Sequence, residues 1–191
     1  GKSVRTTIPV MAGYLVLGAG FGILLRTRGY GLGWALAMSA FIYAGSMQYV
    51  AIDLLTGGAS LLTTAVTTLL VNARHLFYGI SMLERYRAAG KYAPYLIFSL
   101  TDETYSLVAA HEDLTGAECF RISLLDQLYW VLGTALGSLA GAYLDFKTTG
   151  IDFSLTALFL TVFTEQWLET KDHAPALIGL GVSIVCRLLF G

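Results

Sequence analysis

The sequence predicts an all-α integral membrane protein of about seven transmembrane helices, with an internal three-helix repeat joined by a single helix (3+1+3). Three observations carry that expectation. Of the 191 residues, 55% are hydrophobic and only 13% are charged, about half the charged share of an average soluble domain. So few charges cannot cover a water-facing globule of this size, so the surface faces lipid. Apolar runs recur at close to the roughly 20 residues that a spanning helix needs. Short sequence anchors from the first part of the chain also return, in order, in the last part.

The runs cover residues 8–25, 32–55, 59–82, 92–110, 124–144, 153–168 and 174–190. The fourth is the least hydrophobic of the early ones and the sixth is short. Pro9, Pro94 and Pro175 each fall where a first helical turn is expected, a position that has no need of the missing N–H. Tyr30, Trp34, Tyr92, Tyr95, Tyr129, Trp130, Tyr143 and Trp167 cluster near run ends, as interfacial aromatics do. The 21 glycines suit close helix contacts in a bilayer. No linker or low-complexity tract interrupts the chain, so residues 1–191 read as one transmembrane domain.

The repeat anchors are explicit. Tyr14-Leu15-Val16-Leu17-Gly18 with Gly22 returns as Tyr129-Trp130-Val131-Leu132-Gly133 with Gly137. Phe41 and Gln48-Tyr49 return as Phe159 and Gln166-Trp167, and Val71-Asn72-Ala73-Arg74 as Val185-Cys186-Arg187. Repeat one therefore covers about 8–83, the linking helix about 92–110 and repeat two about 124–190. If the linking helix spans, both units point the same way; if it is re-entrant, they are inverted. Either arrangement lets two halves rock about a central site, which is the plan of secondary transporters.

Charge and motifs exclude other classes. The net charge of −1 supplies no basic stripe for nucleic acid. Cys119 and Cys186 form no CxxC pair, so they read as apolar fillers rather than a disulfide or zinc ligands. There is no P-loop. Ser46 and His75 do not make a serine protease, because Ser46 stands in Ala44-Gly45-Ser46-Met47 without the glycine that a nucleophile loop carries after the serine. No catalytic residue, metal or cofactor is expected. Arg26 and Arg28 after the first run, and Arg85, Arg87 and Lys91 after the third, place those loops in the cytoplasm. The acidic loops carrying Glu112, Asp113, Glu118, Glu169 and Asp172 then lie outside, with the N-terminus. The chain starts Gly1-Lys2-Ser3 without Met and stops at Gly191 directly after an apolar run, as if trimmed from a longer protein.

Polar groups inside apolar runs are the candidate site, since a bilayer tolerates them only when paired or functional. Asn72, Arg74 and His75 lie within the third run, Asp102 and Glu103 within the fourth, Gln48 within the second, and Glu165 and Gln166 within the sixth. Arg74 is expected to pair with Asp102 or Glu103. That pair is either structural or part of a substrate or proton path. Gly45-Ser46 marks a place where a helix can open and present its backbone to a ligand. The substrate-binding candidates are therefore Gly45, Ser46, Gln48, Asn72, Arg74, Glu165 and Gln166. The proton-coupling candidates are Asp102, Glu103 and His75. Gln48 serves equally well as glue between helices, and the paired glycines 18/22 and 133/137 read as packing.

Several of these stretches together resemble one family. They are Pro9-Val10-Met11-Ala12-Gly13-Tyr14, Phe21-Gly22, Met38-Ser39, Tyr43-Ala44-Gly45-Ser46-Met47-Gln48-Tyr49, Leu69-Leu70-Val71-Asn72-Ala73-Arg74-His75-Leu76-Phe77-Tyr78 and Leu100-Thr101-Asp102-Glu103-Thr104-Tyr105. In combination they are similar to the AzlC family, the large subunits of branched-chain amino acid exporters. The likeness is strong over residues 9–110 and rests on general pattern beyond. It implies export of L-valine and related amino acids across the bacterial inner membrane, driven by the proton gradient. It also implies a small hydrophobic partner subunit of the AzlD or YgaH type, and a natural chain somewhat longer than this one. The competing expectation is the substrate-binding membrane component of an ATP-driven importer. The internal repeat argues against it, because a binding component has no use for rocking halves.

Overall fold

The computed structural model describes residues 2–111, 113–144, 150, 153, 156–157, 160, 163–164, 167–168 and 173–190. Every regular element among them is a helix. They are α1 (Lys2–Thr27), α2 (Leu32–Phe41), α3 (Gly45–Thr56), α4 (Leu61–Asn72), α5 (Arg74–Ala88), a 3₁₀ turn (Gly90–Tyr92), α6 (Ala93–Phe98), α7 (Asp102–Ala109), α8 (Gly116–Tyr143) and α9 (Ala174–Phe190). The chain divides into two compact units, Gly1–Asp152 and Phe153–Gly191. In the second, described parts include α9 and a stack of Trp167 on His173, with ring centroids 4.0 Å apart. Most of the sixth apolar run, with Glu165 and Gln166, lies outside the described residues.

Two long helices form the spine of the first unit. Within α1, Arg5–Thr27 is long and apolar enough to cross a membrane, with a mean hydropathy of 2.0. Pro9 sits inside α1 rather than in its first turn, because the helix continues back through the polar residues to Lys2. α8 starts at a complete capping box, Thr115 with Glu118, which satisfies two orphan N–H donors. The two helices touch backbone to backbone. A Cβ on Gly18 would lie 2.9 Å from the Trp130 carbonyl oxygen, and one on Gly133 would lie 2.8 Å from that of Leu15. Gly22 meets Thr134, Ser138 and Gly137, and Gly137 meets Ala19. Residue numbers rise together along the seam, from Tyr14 at Gly133 to Ile23 at Gly141, so α1 and α8 run parallel. This is small-residue packing of the kind that drives membrane helix association, and it joins the two helices that carry the first repeat anchor.

The second, third and fourth apolar runs are not continuous helices. The second breaks at Ile42-Tyr43-Ala44, where Tyr43 has φ of 42°, a left-handed conformation that costs a non-glycine residue about 1–3 kcal/mol. The third is interrupted at Ala73, and the fourth opens at Ser99-Leu100-Thr101. Backbone groups freed at the first and third interruptions, and at the end of α7, are recovered by nearby side chains. Gln127 Nε2 donates to the Ala40 carbonyl at 3.1 Å. Thr101 Oγ1 accepts from the Thr104 N–H at the start of α7. Arg85 donates to the Val108 and His111 carbonyls at its end. A core of Met82, Tyr86, Leu96, Leu100, Val108, Leu114, Cys119 and Ile122 packs α5, α6 and α7 against the first turns of α8.

The seam generates a stability prediction. Gly137→Leu drives a side chain into the Ala19 backbone and lowers stability by about 1–3 kcal/mol. Gly13→Ala, with open space around the site, gains up to about 1 kcal/mol of helix propensity. Thermal unfolding midpoints of the two variants in detergent check this, and a Gly137→Leu protein that melts with the unaltered one would show the seam is not tight.

Candidate functional site

The three interruptions converge on one side chain. Arg74 is the first residue of α5. Its Nη2 donates to Ser46 Oγ in the first turn of α3 at 2.8 Å. Its Nε lies 3.1 Å from Asp102 Oδ1 in the first turn of α7. The ion pair expected from the sequence therefore forms, with Asp102 rather than Glu103. The Nε–H is not aimed along a hydrogen bond to that oxygen, so the contact is ionic and free to re-form with another acceptor. Both side chains retain about a quarter of their exposure, 29% and 24%.

Each member owes its place to a helix start. α3, α5 and α7 all begin beside this cluster, and helix N-termini carry partial positive charge and orphan N–H groups that favour anions. Glu103, half-buried next to Asp102, accepts from Tyr14 Oη at 2.7 Å. Tyr14 also lies 2.8 Å from Thr101 Oγ1. Asn72 Oδ1 is buried with no hydrogen-bond partner, and His75 Nδ1 is 3.2 Å from the Asn72 carbonyl.

A cavity of about 490 Å³ opens alongside, reaching all three interruptions. Ile42, Tyr43 and Ala44 line it at the first, Asn72 and His75 at the second, and Phe98 and Leu100 at the third, with Leu83 and Ile97 as further apolar wall.

Asn72 and His75, which flank Arg74 in the chain, are the sequence candidates in its wall; Ser46, Arg74, Asp102 and Glu103 stand beside it and do not line it. Gln48 is fully buried. Its Nε2 donates to Ser39 Oγ at 3.1 Å and its Oε1 accepts from Trp130 Nε1 at 2.9 Å, so both ends of its amide are committed to joining α2, α3 and α8. Gly45 is covered by the Trp130 ring, which a Cβ would meet at 3.0 Å. Glu165 and Gln166 lie outside the described residues. Sequence reasoning passed over Asp126 and Gln127. Asp126 is fully buried on α8 and accepts from Thr104 Oγ1 at 3.1 Å. The signal was available, because this acid–amide pair is a polar interruption near the start of the fifth apolar run.

The sequence profile of the family described as "AzlC protein" matches residues 9–144. The chain is 46% identical to the "Branched-chain amino acid transport protein AzlC" of Bacillus subtilis, over 97% of this chain and 74% of that protein. It is 43% identical to an "Uncharacterized membrane protein" of Helicobacter pylori, over 97% of this chain and 83% of that one. It is 27% identical to the "Inner membrane protein YgaZ" of Escherichia coli, over 93% and 78%. No solved structure matches. The profile covers α8, most of α1 and all three interrupted runs, and with those identities it establishes that this chain belongs to the AzlC family.

Proposed function

We propose that this chain is the large subunit of a secondary transporter that exports branched-chain amino acids, L-valine and its relatives, from the bacterial cytoplasm in exchange for protons. The observation that carries the reading is Arg74 joining the starts of three interrupted helices beside an apolar cavity. A substrate carboxylate matches Arg74 and the converging N–H groups. The unpartnered Asn72 Oδ1 suits the ammonium group. Ile42, Leu83, Ile97 and Phe98 suit an aliphatic side chain, for which a hydroxylated or charged one would be a poor replacement. The B. subtilis relative's name supports the substrate class.

Coupling follows from competition. Arg74 turns to the substrate carboxylate while the ionised Asp102 beside it accepts from the substrate ammonium, so bound substrate keeps the proton off that carboxylate. A proton arriving on Asp102 removes the ammonium's partner and releases the substrate, so the site holds substrate and proton in alternation, as exchange requires. Glu103 and His75 stand next to this exchange. Gln48 and Gly45 hold the opened second run in place for it. The parallel course of α1 and α8 supports a 3+1+3 repeat in which the fourth run counts as a crossing. α4 buries none of its residues, and Leu61, Leu62, Leu69 and Leu70 are exposed on it. Lipid and a small hydrophobic subunit of the AzlD/YgaH type would share that apolar surface.

Three outcomes test the reading in proteoliposomes. Arg74→Lys keeps the charge but loses the planar fork, so valine counterflow falls by about tenfold or more, one lost charge-assisted contact being worth about 1.5–3 kcal/mol. Asp102→Asn abolishes pH-driven valine transport in a protein that still folds and inserts; normal pH-driven transport by this variant makes the carboxylate structural. The full-length chain reconstituted alone transports far more slowly than with its small subunit, and full-rate transport by the chain alone removes the partner from the scheme.

A further inference from the structure

A line of hydrogen-bonded oxygens leads away from the ion pair into the interior. Glu103 Oε2 is 2.7 Å from Tyr14 Oη, Tyr14 Oη is 2.8 Å from Thr101 Oγ1, Thr101 Oγ1 is 3.0 Å from Thr104 Oγ1, and Thr104 Oγ1 is 3.1 Å from Asp126 Oδ2. Tyr14, Thr101, Thr104 and Asp126 are all buried, Thr104 and Asp126 completely. The other oxygen of Asp126, Oδ1, has no hydrogen-bond partner.

Counting protons decides what this line holds. Each hydroxyl owns one hydrogen, and an ionised carboxylate owns none. The four links therefore need four hydrogens, while Tyr14, Thr101 and Thr104 supply three. With both carboxyls ionised, one link would bring two bare oxygens together at hydrogen-bond distance in a buried site, an arrangement that costs rather than stabilises. One proton on one carboxyl completes the line. It does so in two equivalent ways: Glu103 donates to Tyr14, Tyr14 to Thr101, Thr101 to Thr104 and Thr104 to ionised Asp126, or every donation runs in reverse from Asp126 to ionised Glu103. Switching between them moves each hydrogen across its own link and transfers one net proton from one carboxyl to the other.

We propose that Glu103 and Asp126 share a single proton along Tyr14, Thr101 and Thr104, and that this relay carries the coupling proton between the ion-pair cluster and α8. The proposal rests on the proton-coupled reading above. Around Asp126, the titratable groups from the packed elements are Glu103 on α7, Tyr43 in the first interruption and Tyr95 on α6; around Glu103 they are Tyr14 on α1, Asp102 on its own helix and Arg74 on α5, which is already paired with Asp102. Among the described residues no cation stands at Asp126, and the one cation near Glu103, Arg74, is shared with Asp102. One negative charge shared by two carboxyls is what such surroundings tolerate. The relay also accounts for a buried acid with no place in substrate binding.

The test uses the full-length protein with its small subunit in liposomes, with radiolabelled valine. Asp126→Asn and Thr104→Val should lose pH-driven transport while valine counterflow persists, and Thr104→Ser, which keeps the hydroxyl, should retain both. PH-driven transport surviving in Asp126→Asn, or in Thr104→Val, overturns the relay. Loss of counterflow together with pH-driven transport in both variants overturns it too, because the groups are then structural. If Asp126→Asn does not fold, the two Thr104 variants decide. If the unaltered protein shows no pH-driven transport, the coupling reading fails on its own. Infrared difference spectra between acidic and alkaline pH then decide the shared proton: one protonated-carboxyl band removed by Asp126→Asn and by Glu103→Gln supports it, and spectra unchanged by Asp126→Asn overturn it.

Discussion

The contact of α1 with α8 at backbone distance is the constraint on which the rest of the first unit depends. Between helices in a bilayer there is little hydrophobic driving force, so attraction comes from close packing, and glycines at 18, 22, 133 and 137 allow it. With the two axes this close, Trp130 and Thr134 of α8 face the opened second run. Trp130 packs edge-on against Tyr14, with centroids 5.4 Å apart, and covers Gly45 while binding Gln48. Ser39 donates to Thr134 at 2.9 Å. The interruption at Tyr43 is thus held by side chains from the spine, which offsets its backbone strain.

A second consequence concerns polar groups. A helix that breaks in an apolar medium must find new partners for its freed N–H and C=O groups. Gln127, Thr101 and Arg85 meet those needs at separate places. At Arg74 the starts of α3, α5 and α7 come together instead, through Ser46 and Asp102. Structural repair and candidate binding are in this way divided among different residues, although all of them looked alike in the sequence as polar residues inside apolar runs.

Much of this was legible beforehand. The helical class followed from composition and run length, the glycine pairs read correctly as packing, and the pairing of Arg74 with an acid followed from the cost of isolated charge. The family followed from the Asn-Ala-Arg-His and Thr-Asp-Glu stretches in combination. What the pattern hid was discontinuity. Residues 32–55, 59–82 and 92–110 read as single runs, because mean hydropathy does not register a local change of φ and ψ. Pro9 read as a helix start for a similar reason, since polar residues can extend a helix beyond its apolar part.

The sequence by itself determined the solvent this chain suits, its helices, its close-packing glycines and the residues that a low-dielectric interior would force into pairs, because these depend on composition and on the one-dimensional spacing of residue types. Tertiary structure decided which polar residues face a cavity and which serve as internal fastenings. Gln48 and Asn72 are both amides within apolar runs. Only contact with Ser39 and Trp130 makes the first a fastening, and only the lack of a hydrogen-bond partner at Oδ1 leaves the second an open acceptor. The line from Glu103 to Asp126 likewise joins α7, α1 and α8, residues far apart in the chain, and no spacing rule along one strand of sequence can bring them within hydrogen-bond distance.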